Sequence, residues 1–341
     1  YQVYWGDPHG QTNVSDGLGY PDQFYNYLIQ ISRMDFGAIT DHSEYPDQLS
    51  DADWAYIKQT SRFFHKPGEF VTIQGFEWSS NEWKIDYGHA NIYYPNDDPP
   101  LFRSCDPESE HPYDLFAAVK PYGAIVIPHH VAANWGQVGA SYDWDYFDKE
   151  VQPIVEICSN HGIFEYTGNP RAHRFESKNN HVQDALARGY QVGFIGGSDS
   201  HGMQPGDEGG IAAVLVRGEL SRASIFDAWR NTRCYASTAP RTAIDFAVNG
   251  HIMGETLIAK GKEPIEIVGC VKAPGNIKHI DLVKSNRDIA TFQPLENDTQ
   301  SELTFKYVDT EEVGINVYYY LRVTLVDGEI TWTSPVWVEI R

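Results

Sequence analysis

The sequence predicts an α/β protein with a parallel sheet, open or closed into a barrel, followed by a small antiparallel β-sandwich. Over residues 1–254, short apolar runs alternate with longer amphipathic stretches, which is typical of strands that are each followed by a helix. From residue 255 onward, strand-like runs follow one another with no helical pattern between them. A length of 341 residues suits one large domain, residues 1–254, and one small domain, residues 255–341.

Short runs rich in Val, Ile, Phe and Tyr mark the strands of the first domain. After an initial strand that leads into "GDPHGQTNVSDG", they read "FGAITDH", "FVTIQGFE", "HANIYY", "GAIVIPHH", "PIVEICSNH" and "QVGFIGGSDSH". Two of the intervening stretches carry helix boundary signals. "GYPDQFYNYLIQISRM" has a proline near its start, and "SKNNHVQDALARG" closes on Gly189.

The second domain has the alternating pattern of half-buried antiparallel strands. Its strand-like runs include "EPIEIVGCVKA", "IKHIDLVKSN" and "SELTFKYVD", and they are separated by Gly, Asn and Asp residues that favour turns. Near the end of the chain, "VDGE" lies between two such runs and predicts a hairpin. We expect this domain to contribute no metal ligand.

Charge and hydropathy limit the partners of the protein. The net charge of −21 argues against a nucleic acid partner, because binding to a phosphate backbone needs clustered Lys and Arg. No apolar run reaches 18 residues, so we expect a soluble protein without a membrane partner. The cytoplasm is the favoured compartment. The chain begins at Tyr1, which leaves export with a cleaved signal peptide open. The sequence does not predict the oligomeric state.

The strand-like runs of the first domain end in residues that bind metals. The residues at these ends are His9, Gln11, Asp16, Asp41, His42, Glu77, His89, His129, His130, Glu156, His161, Asp199 and His201. The carboxyl ends of parallel strands converge on one face of a barrel, where active sites are built. Imidazole and carboxylate groups suit zinc, manganese and iron. The pattern therefore predicts a centre that holds several metal ions.

These motifs resemble a known family. "GDPHGQTNVSDG", "TDH", "GFE", "HANI", "PHH" and "GSDSH" follow the order and approximate spacing of the polymerase-and-histidinol-phosphatase (PHP) superfamily. "RNTRCYASTAPRTAIDFAVNGHIMGE" and the C-terminal strands are similar to the uncharacterised DUF3604 branch. The resemblance covers nearly the whole chain. It implies a distorted TIM-like (βα)7 barrel with two or three divalent ions, Mn²⁺, Zn²⁺ or Fe²⁺.

The resemblance also implies which residues bind each ion. The implied first set is His9, Glu77 and Asp199, with Gln11 where the family usually has a second His; the second set is Glu77, His89 and His129; the third set is Asp16, His42 and His201. Gln11 leaves two alternatives open. Its amide oxygen can ligate a hard cation, or the residue forms hydrogen bonds beside a weakened or empty first position. Asp41 is expected to orient ligands, and His130 to face the substrate or support a ligand.

A centre of this kind predicts a metal-dependent hydrolase, most readily a phosphoesterase that uses a metal-bridging hydroxide on a small phosphorylated substrate. We expect catalysis to depend on Glu77, Asp199 and His201, with His201 or His130 as the proton donor. The substrate contacts we expect are His161, Arg171, Arg174 and Arg241. Trp78 and Trp83 are candidates for a substrate wall. Two alternatives remain open: hydrolysis of an amide, ester or lactone, and a non-catalytic metal-stabilised binding protein.

Overall fold

The computed structural model describes residues 1–44, 49–80, 86–135, 140–260, 263–295, 300–311, 314 and 317–340. The α-helices in these ranges are α1 (Pro21–Gln30), α2 (Asp51–Phe64), α3 (Pro112–Val119), α4 (Val182–Ala187) and α5 (Arg222–Arg230). The two predicted helix boundaries are present. Pro21 is the first residue of α1, and Gly189 follows the end of α4 with a positive φ of 86°.

Twelve strands precede residue 255 in the described ranges. They are β1 (Gln2–Asp7), β2 (Phe36–Ile39), β3 (Val71–Ser79), β4 (His89–Tyr94), β5 (Ile125–Pro128), β6 (Ile154–Ser159), β7 (Gly162–Ile163), β8 (Gly193–Gly196), β9 (Ile211–Val216), β10 (Cys234–Ser237), β11 (Ala243–Val248) and β12 (His251–Ile252). The later strands are β13 (Thr256–Ala259), β14 (Ile265–Lys272), β15 (Ile277–Lys284), β16 (Arg287–Phe292), β17 (Glu302–Asp309), β18 (Val317–Leu325), β19 (Ile330–Thr333) and β20 (Val336–Ile340).

The mixed α/β class is confirmed, but an all-parallel barrel is not. The pairs β1–β2, β2–β3 and β6–β8 are parallel, whereas β4 is antiparallel to both β3 and β5, and β9 is antiparallel to β1. A parallel return needs a crossover of a dozen or more residues, usually through a helix. Only residues 80–88 connect β3 to β4, so β4 has to run back along β3.

Eight of the described strands nevertheless face one interior core. Each of β2, β3, β4, β5, β6, β8, β9 and β10 contributes a buried side chain to it, namely Phe36, Val71, Tyr93, Ile125, Ile154, Ile195, Ala212 and Cys234. Helix α5 adds Ile225, Phe226 and Trp229 to the same cluster. The two sheets that carry these strands therefore enclose a common core, which fixes the relative positions of the loops that leave them.

The C-terminal strands form two sheet layers around a second core. One layer is the antiparallel sheet β12-β11-β14-β17, and the other contains β13, β20, β18 and β15. Along β14 buried and exposed residues alternate, as the sequence predicted. The predicted boundary at residue 255 cuts through the first of these layers, because β11 and β12 precede it and pair with β14 and each other. In the structure this sheet begins at Ala243.

The second layer is continuous with the sheet of the first part of the chain. Strand β19 pairs with β10, and β10 pairs with β9. The predicted hairpin at "VDGE" is present between β18 and β19, with the N–H of Leu325 donating to the carbonyl of Glu329 at 2.8 Å. Gly328 has a φ of 94° in this turn, a conformation that glycine adopts without strain.

Candidate metal centre

Strands of both sheets that enclose the first core bring nearly all the predicted ligands together at one end. His9 and Gln11 follow β1, His42 follows β2, His129 follows β5, and Asp199 follows β8. Two of the predicted ligands do not follow the C-terminal end of a strand. Glu77 lies inside β3, and His89 is the first residue of β4. Because β4 runs antiparallel, its start pairs with the end of β3, at Ser79, and so reaches the same end.

Glu77 lies at the middle of the cluster. Its Oε1 is 3.0 Å from Nδ1 of His89, 3.1 Å from Nε2 of His129 and 3.6 Å from Nδ1 of His42. Its Oε2 is 3.3 Å from Nε2 of His9. The carboxylate is 1% exposed. One carboxyl group therefore contacts residues from all three of the predicted ligand sets.

Asp199 and Asp16 link the remaining imidazoles. Asp199 Oδ1 is 3.3 Å from Nε2 of His9, and Asp199 Oδ2 is 3.1 Å from Nε2 of His161. Asp16 Oδ1 is 3.4 Å from Nε2 of His42, and Asp16 Oδ2 is 3.3 Å from Nε2 of His201. The third predicted set, Asp16, His42 and His201, is thus assembled in the structure.

Four groups of side chains bring ligand atoms within 4.8 Å of one another among the described residues: Glu77, His89, His129 and His130; His9, His129 and Asp199; Asp16, His42 and His201; and His161, Asp199 and His201. The first group contains the predicted second set together with His130. The last group includes His161, which the sequence placed among the substrate contacts. None of these groups contains a residue beyond 255.

The electrostatics of the centre follow from close pairing of buried charges. Burial alone would raise the pKa of Glu77, but the imidazoles of His42 and His129 outweigh it and hold that pKa well below its usual value. Burial lowers the pKa of His9, but the carboxylates of Asp199 and Glu156 raise it well above its ordinary value. For His130, burial and then the imidazole of His129 lower the pKa well below the ordinary value.

The donor set fits divalent cations. It combines imidazole nitrogens with carboxylate oxygens, which suits zinc, manganese and iron. Several of its buried atoms have no hydrogen-bond partner among the described residues: Gln11 Oε1, His129 Nδ1, His130 Nδ1 and Asp199 Oδ2. Buried polar atoms are normally paired. Of these residues, His130 and Asp199 also line one cavity, which is where a cation could satisfy their unpaired atoms.

Two glutamates orient imidazoles of the centre. Glu156 Oε2 is 2.8 Å from Nδ1 of His9, and Glu44 Oε1 is 2.7 Å from Nδ1 of His42. Nε2 of His9 then faces Glu77, and Nε2 of His42 faces Asp16, while Nδ1 of His42 also lies 3.6 Å from Glu77. Sequence reasoning noted Glu156 at a strand end without assigning it a contact, and it missed Glu44. A carboxylate two residues after His42 was the available signal for Glu44.

Asp41 organises the loop after β1 and does not contact the imidazoles directly. Its carboxylate accepts hydrogen bonds from the Thr12 N–H, the Thr12 hydroxyl and the Ser15 hydroxyl, each at 2.7 Å. These bonds tie the segment between Gln11 and Asp16 to the end of β2. Asp41 therefore positions two predicted ligands through the backbone that carries them.

A cavity of about 260 Å³ opens onto the ligands. Its lining residues are His42, Glu77, His89, His130, Trp135, His161, Asp199 and His201. Sequence reasoning missed Trp135, whose ring centroid lies 4.9 Å from that of His130 and 5.1 Å from that of His161. Trp78 does not form a wall, because it is buried and its indole N–H donates to the carbonyl of Ser109 at 2.8 Å. Trp83 lies outside the described residues.

The three predicted arginine contacts lie apart from this cavity lining. Arg171 lines a neighbouring cavity of about 310 Å³ with His161, and its Nη1 is 3.3 Å from Glu329. Arg174 is exposed, with its guanidinium 5.0 Å from the centroid of the Phe175 ring. Arg241 donates to the backbone carbonyls of residues 32 and 33. That bonding gives Arg241 a structural role at the turn after α1.

Two residues of the centre have backbone conformations that non-glycine residues seldom adopt. His130 has a φ of 31° and Asp199 a φ of 53°. Such strain persists only where the surroundings enforce it, and it is concentrated at functional sites. At Asp199 the peptide N–H donates to the carbonyl of His9 at 3.0 Å, which joins the ends of β8 and β1.

Comparisons with known proteins support the resemblance seen in the motifs. The family model for "Protein of unknown function (DUF3604)" matches residues 22–162. Uncharacterised proteins of Chlamydia pneumoniae and Chlamydia trachomatis are 25% and 26% identical over 99% of this chain, which spans 58% of the length of each. The match to the DUF3604 family model agrees with the predicted resemblance to that branch.

A solved structure shares the fold. It is that of a two-domain protein from Bacteroides vulgatus, described as containing a predicted PHP-like metal-dependent phosphoesterase. The likeness has a TM-score of 0.53 at 14% identity, over 98% of this chain and 96% of that chain. Among the described residues, no helix combines the length and the apolar character needed to cross a membrane.

Proposed function

We propose that this protein is a metal-dependent hydrolase that acts on a small phosphoester. The observation that carries the proposal is the position of Glu77, whose two carboxylate oxygens lie within 3.6 Å of imidazoles from His9, His42, His89 and His129 at the base of one cavity. A carboxylate so placed can hold two cations close together, which imidazoles cannot do alone.

The residues that would hold the ions are those of the three predicted sets. His9 would supply one position with Asp199 and Glu77, each 3.3 Å from its Nε2. His89 and His129 would supply another with Glu77, and Asp16, His42 and His201 would supply the third. When bound, divalent ions in such a cluster lower the pKa of a water molecule and neutralise charge on a phosphoryl group. We infer two or three ions, with Mn²⁺, Zn²⁺ and Fe²⁺ as the candidates.

The chain itself supplies orientation and exclusion of water. Glu156 and Glu44 hold His9 and His42 with Nε2 toward the cavity. His130 also lines the cavity, and its buried Nδ1 is free to bond a substrate oxygen. His201 is half-exposed at the rim, with Nε2 3.3 Å from Asp16 Oδ2, where it would help to hold an ion.

The cavity has room for a small substrate. About 260 Å³ admits a phosphoryl group with a short substituent, and Trp135 lies at the mouth with 38% of its surface exposed. An exposed indole beside a polar centre offers an apolar face for the remainder of the substrate. These features favour a small phosphomonoester or a short phosphodiester over a polymer.

The test is a substrate panel with the protein loaded with Mn²⁺, Zn²⁺ or Fe²⁺ in turn. We expect release of phosphate or alcohol from at least one small phosphomonoester or phosphodiester, and loss of that release when a chelator is added. Carboxyl esters, lactones and amides are included in the panel. Turnover of these alone, with every phosphoester left intact, would replace the phosphoesterase proposal with the other hydrolase class.

A further inference from the structure

The side chain of Gln11 introduces a hydrogen-bond donor into the implied first metal position. Its Nε2 donates to Glu77 Oε2 at 2.8 Å and lies 3.3 Å from Nε2 of His9. A lone pair that accepts an amide hydrogen is not available to a cation. At residue 11 the chain therefore lacks the imidazole that the family pattern supplies. The Gln11 amide instead bonds Glu77 Oε2, an oxygen that could otherwise ligate a cation.

Asp199 has a second oxygen that points away from Gln11. Oδ1 faces His9 at 3.3 Å, whereas Oδ2 lies 3.1 Å from Nε2 of His161. Asp199 is 2% exposed, yet Oδ2 has no hydrogen-bond partner with acceptable geometry among the described residues. The oxygen and the nitrogen lie 3.1 Å apart, a spacing that two ligands of one cation can have. Ligand atoms around a cation with bonds of about 2.0–2.2 Å are roughly 3–4 Å apart.

His201 completes this group. Ligand atoms of His161, Asp199 and His201 lie within 4.8 Å of one another. The Nδ1 of His201 is 3.2 Å from the carbonyl and 3.9 Å from Oδ1 of Asp199, and its Nε2 is 3.3 Å from Asp16 Oδ2. All three residues line the 260 Å³ cavity, so an ion held there would be accessible to substrate.

A tight turn fixes the direction of His161. The residue lies between β6 and β7, where Ser159 pairs with Gly162 and the Ser159 hydroxyl accepts the N–H of His161 at 3.2 Å. Gly162 has a φ of 131°, and a Cβ there would come within 2.9 Å of the backbone of Arg171 and His173. The turn is therefore packed closely against the following loop, and the imidazole is held against Trp135.

We propose that His161, Asp199 and His201 form a divalent-cation site, in which His161 supplies the imidazole that Gln11 does not. The inference deepens the proposed function, because it concerns the same centre and changes which residues hold its ions. It gives His161 the role of a metal ligand in place of the substrate contact expected from the sequence.

The test measures cobalt binding to the purified full chain. Co²⁺ is titrated into metal-free protein, and both the number of ions per chain and the absorption bands of bound Co²⁺ are recorded. We compare the wild type with His161→Ala and with a matched control, His173→Ala. The control removes an imidazole from the same loop whose Nδ1 faces the backbone at Phe175 and not the centre.

His161→Ala is expected to bind one ion fewer, or to bind its weakest ion at least ~10-fold less tightly, while His173→Ala matches the wild type. Adding Gln11→His to His161→Ala should restore the lost ion. Unchanged stoichiometry, affinity and spectrum in folded His161→Ala would overturn the inference, as would failure of the double variant to regain the ion. If His161→Ala does not fold, the same Co²⁺ titration is carried out with His161→Gln, and the same outcomes support or overturn the inference.

The outcome separates this inference from the proposed function. A wild type that binds Co²⁺ through His161 yet hydrolyses no member of the panel supports the site and rejects the hydrolase. A wild type that hydrolyses a phosphoester while His161→Ala retains every ion rejects the site alone. A wild type that binds no Co²⁺ rejects both.

Discussion

Glu156 offers a direct test of how the protein prepares His9 for an ion. The carboxylate is 1% exposed in β6, and its Oε2 lies 2.8 Å from Nδ1 of a fully buried His9. Gly197 packs so closely on it that a Cβ there would come within 2.3 Å of the same oxygen. The contact holds the ring with Nε2 toward Glu77 and Asp199.

Two substitutions separate the charge of Glu156 from its hydrogen bond. Glu156→Gln keeps an oxygen that can accept from His9 but removes the negative charge, whereas Glu156→Ala removes both and leaves a cavity. Loss of such a partner typically weakens metal binding by about 10–100-fold. We expect Glu156→Gln to weaken metal binding about tenfold and Glu156→Ala about a hundredfold. These factors correspond to losses of about 1.4 and about 2.7 kcal/mol in the free energy of binding.

Competition between the protein and a fluorescent chelator for Mn²⁺ would measure these affinities. Glu302→Gln is the matched control, because that glutamate pairs with Lys272 at the surface of the C-terminal sheets. The control should bind Mn²⁺ like the wild type. Wild-type affinity in both Glu156 variants, with the fold intact, would refute the idea that this carboxylate prepares His9.

Three further predictions concern stability and substrate binding. Arg322→Ala should lower the free energy of unfolding by ~3–5 kcal/mol in urea titrations, because it leaves the carboxylate of Glu165 buried without its guanidinium, 2.8 Å away. Asp309→Asn should destabilise the protein most at neutral pH. Burial raises the pKa of Asp309, but hydrogen bonds, first that from Lys284, bring it below the usual value, so its stabilising effect is lost as the pH falls through that lowered pKa. Arg174→Ala should raise KM several-fold with little change in kcat if this exposed cation only attracts substrate.

Each of these predictions has its own control. Arg287→Ala removes an exposed ion pair and should change the free energy of unfolding by less than ~1 kcal/mol. If Arg322→Ala lowers the free energy of unfolding by no more than Arg287→Ala does, the argument from burial is contradicted. For Asp309→Asn, a destabilisation that does not shrink at acid pH would show that the charge plays no part. Arg171→Ala provides the comparison for Arg174→Ala, since Arg171 is already paired with Glu329.

The sequence marked the positions of the strands and of the side chains that cluster at their ends, but not the direction in which each strand runs. A histidine or carboxylate at a strand end is visible as a motif, and the residues so marked do form clusters in the structure. Strand direction was harder to predict. The antiparallel run of β4 depends on the short link from β3, and the sequence pattern of a buried strand is the same in either direction. The reversal preserved the site because His89 begins β4.

Contacts that depend on tertiary structure escaped sequence reasoning. The pairing of Glu156 with His9 joins residues 147 positions apart, and no spacing rule relates them. Trp135 approaches His161 only after the loops that follow β5 and β6 have folded together. The boundary at residue 255 follows the change in sequence pattern, whereas the sheet that contains β14 already begins with β11 at Ala243, a pairing that the pattern does not reveal.

The measurement that tests the central claim most directly is the turnover of the substrate found in the panel by Glu77→Gln, at saturating metal. Glu77 contacts ligands of all three sets, so the loss of its charge should disturb more than one ion position at once. We predict that Glu77→Gln binds fewer ions per chain than the wild type and that kcat falls by at least ~100-fold. A folded Glu77→Gln variant that keeps the full metal content and near-normal kcat would contradict the account.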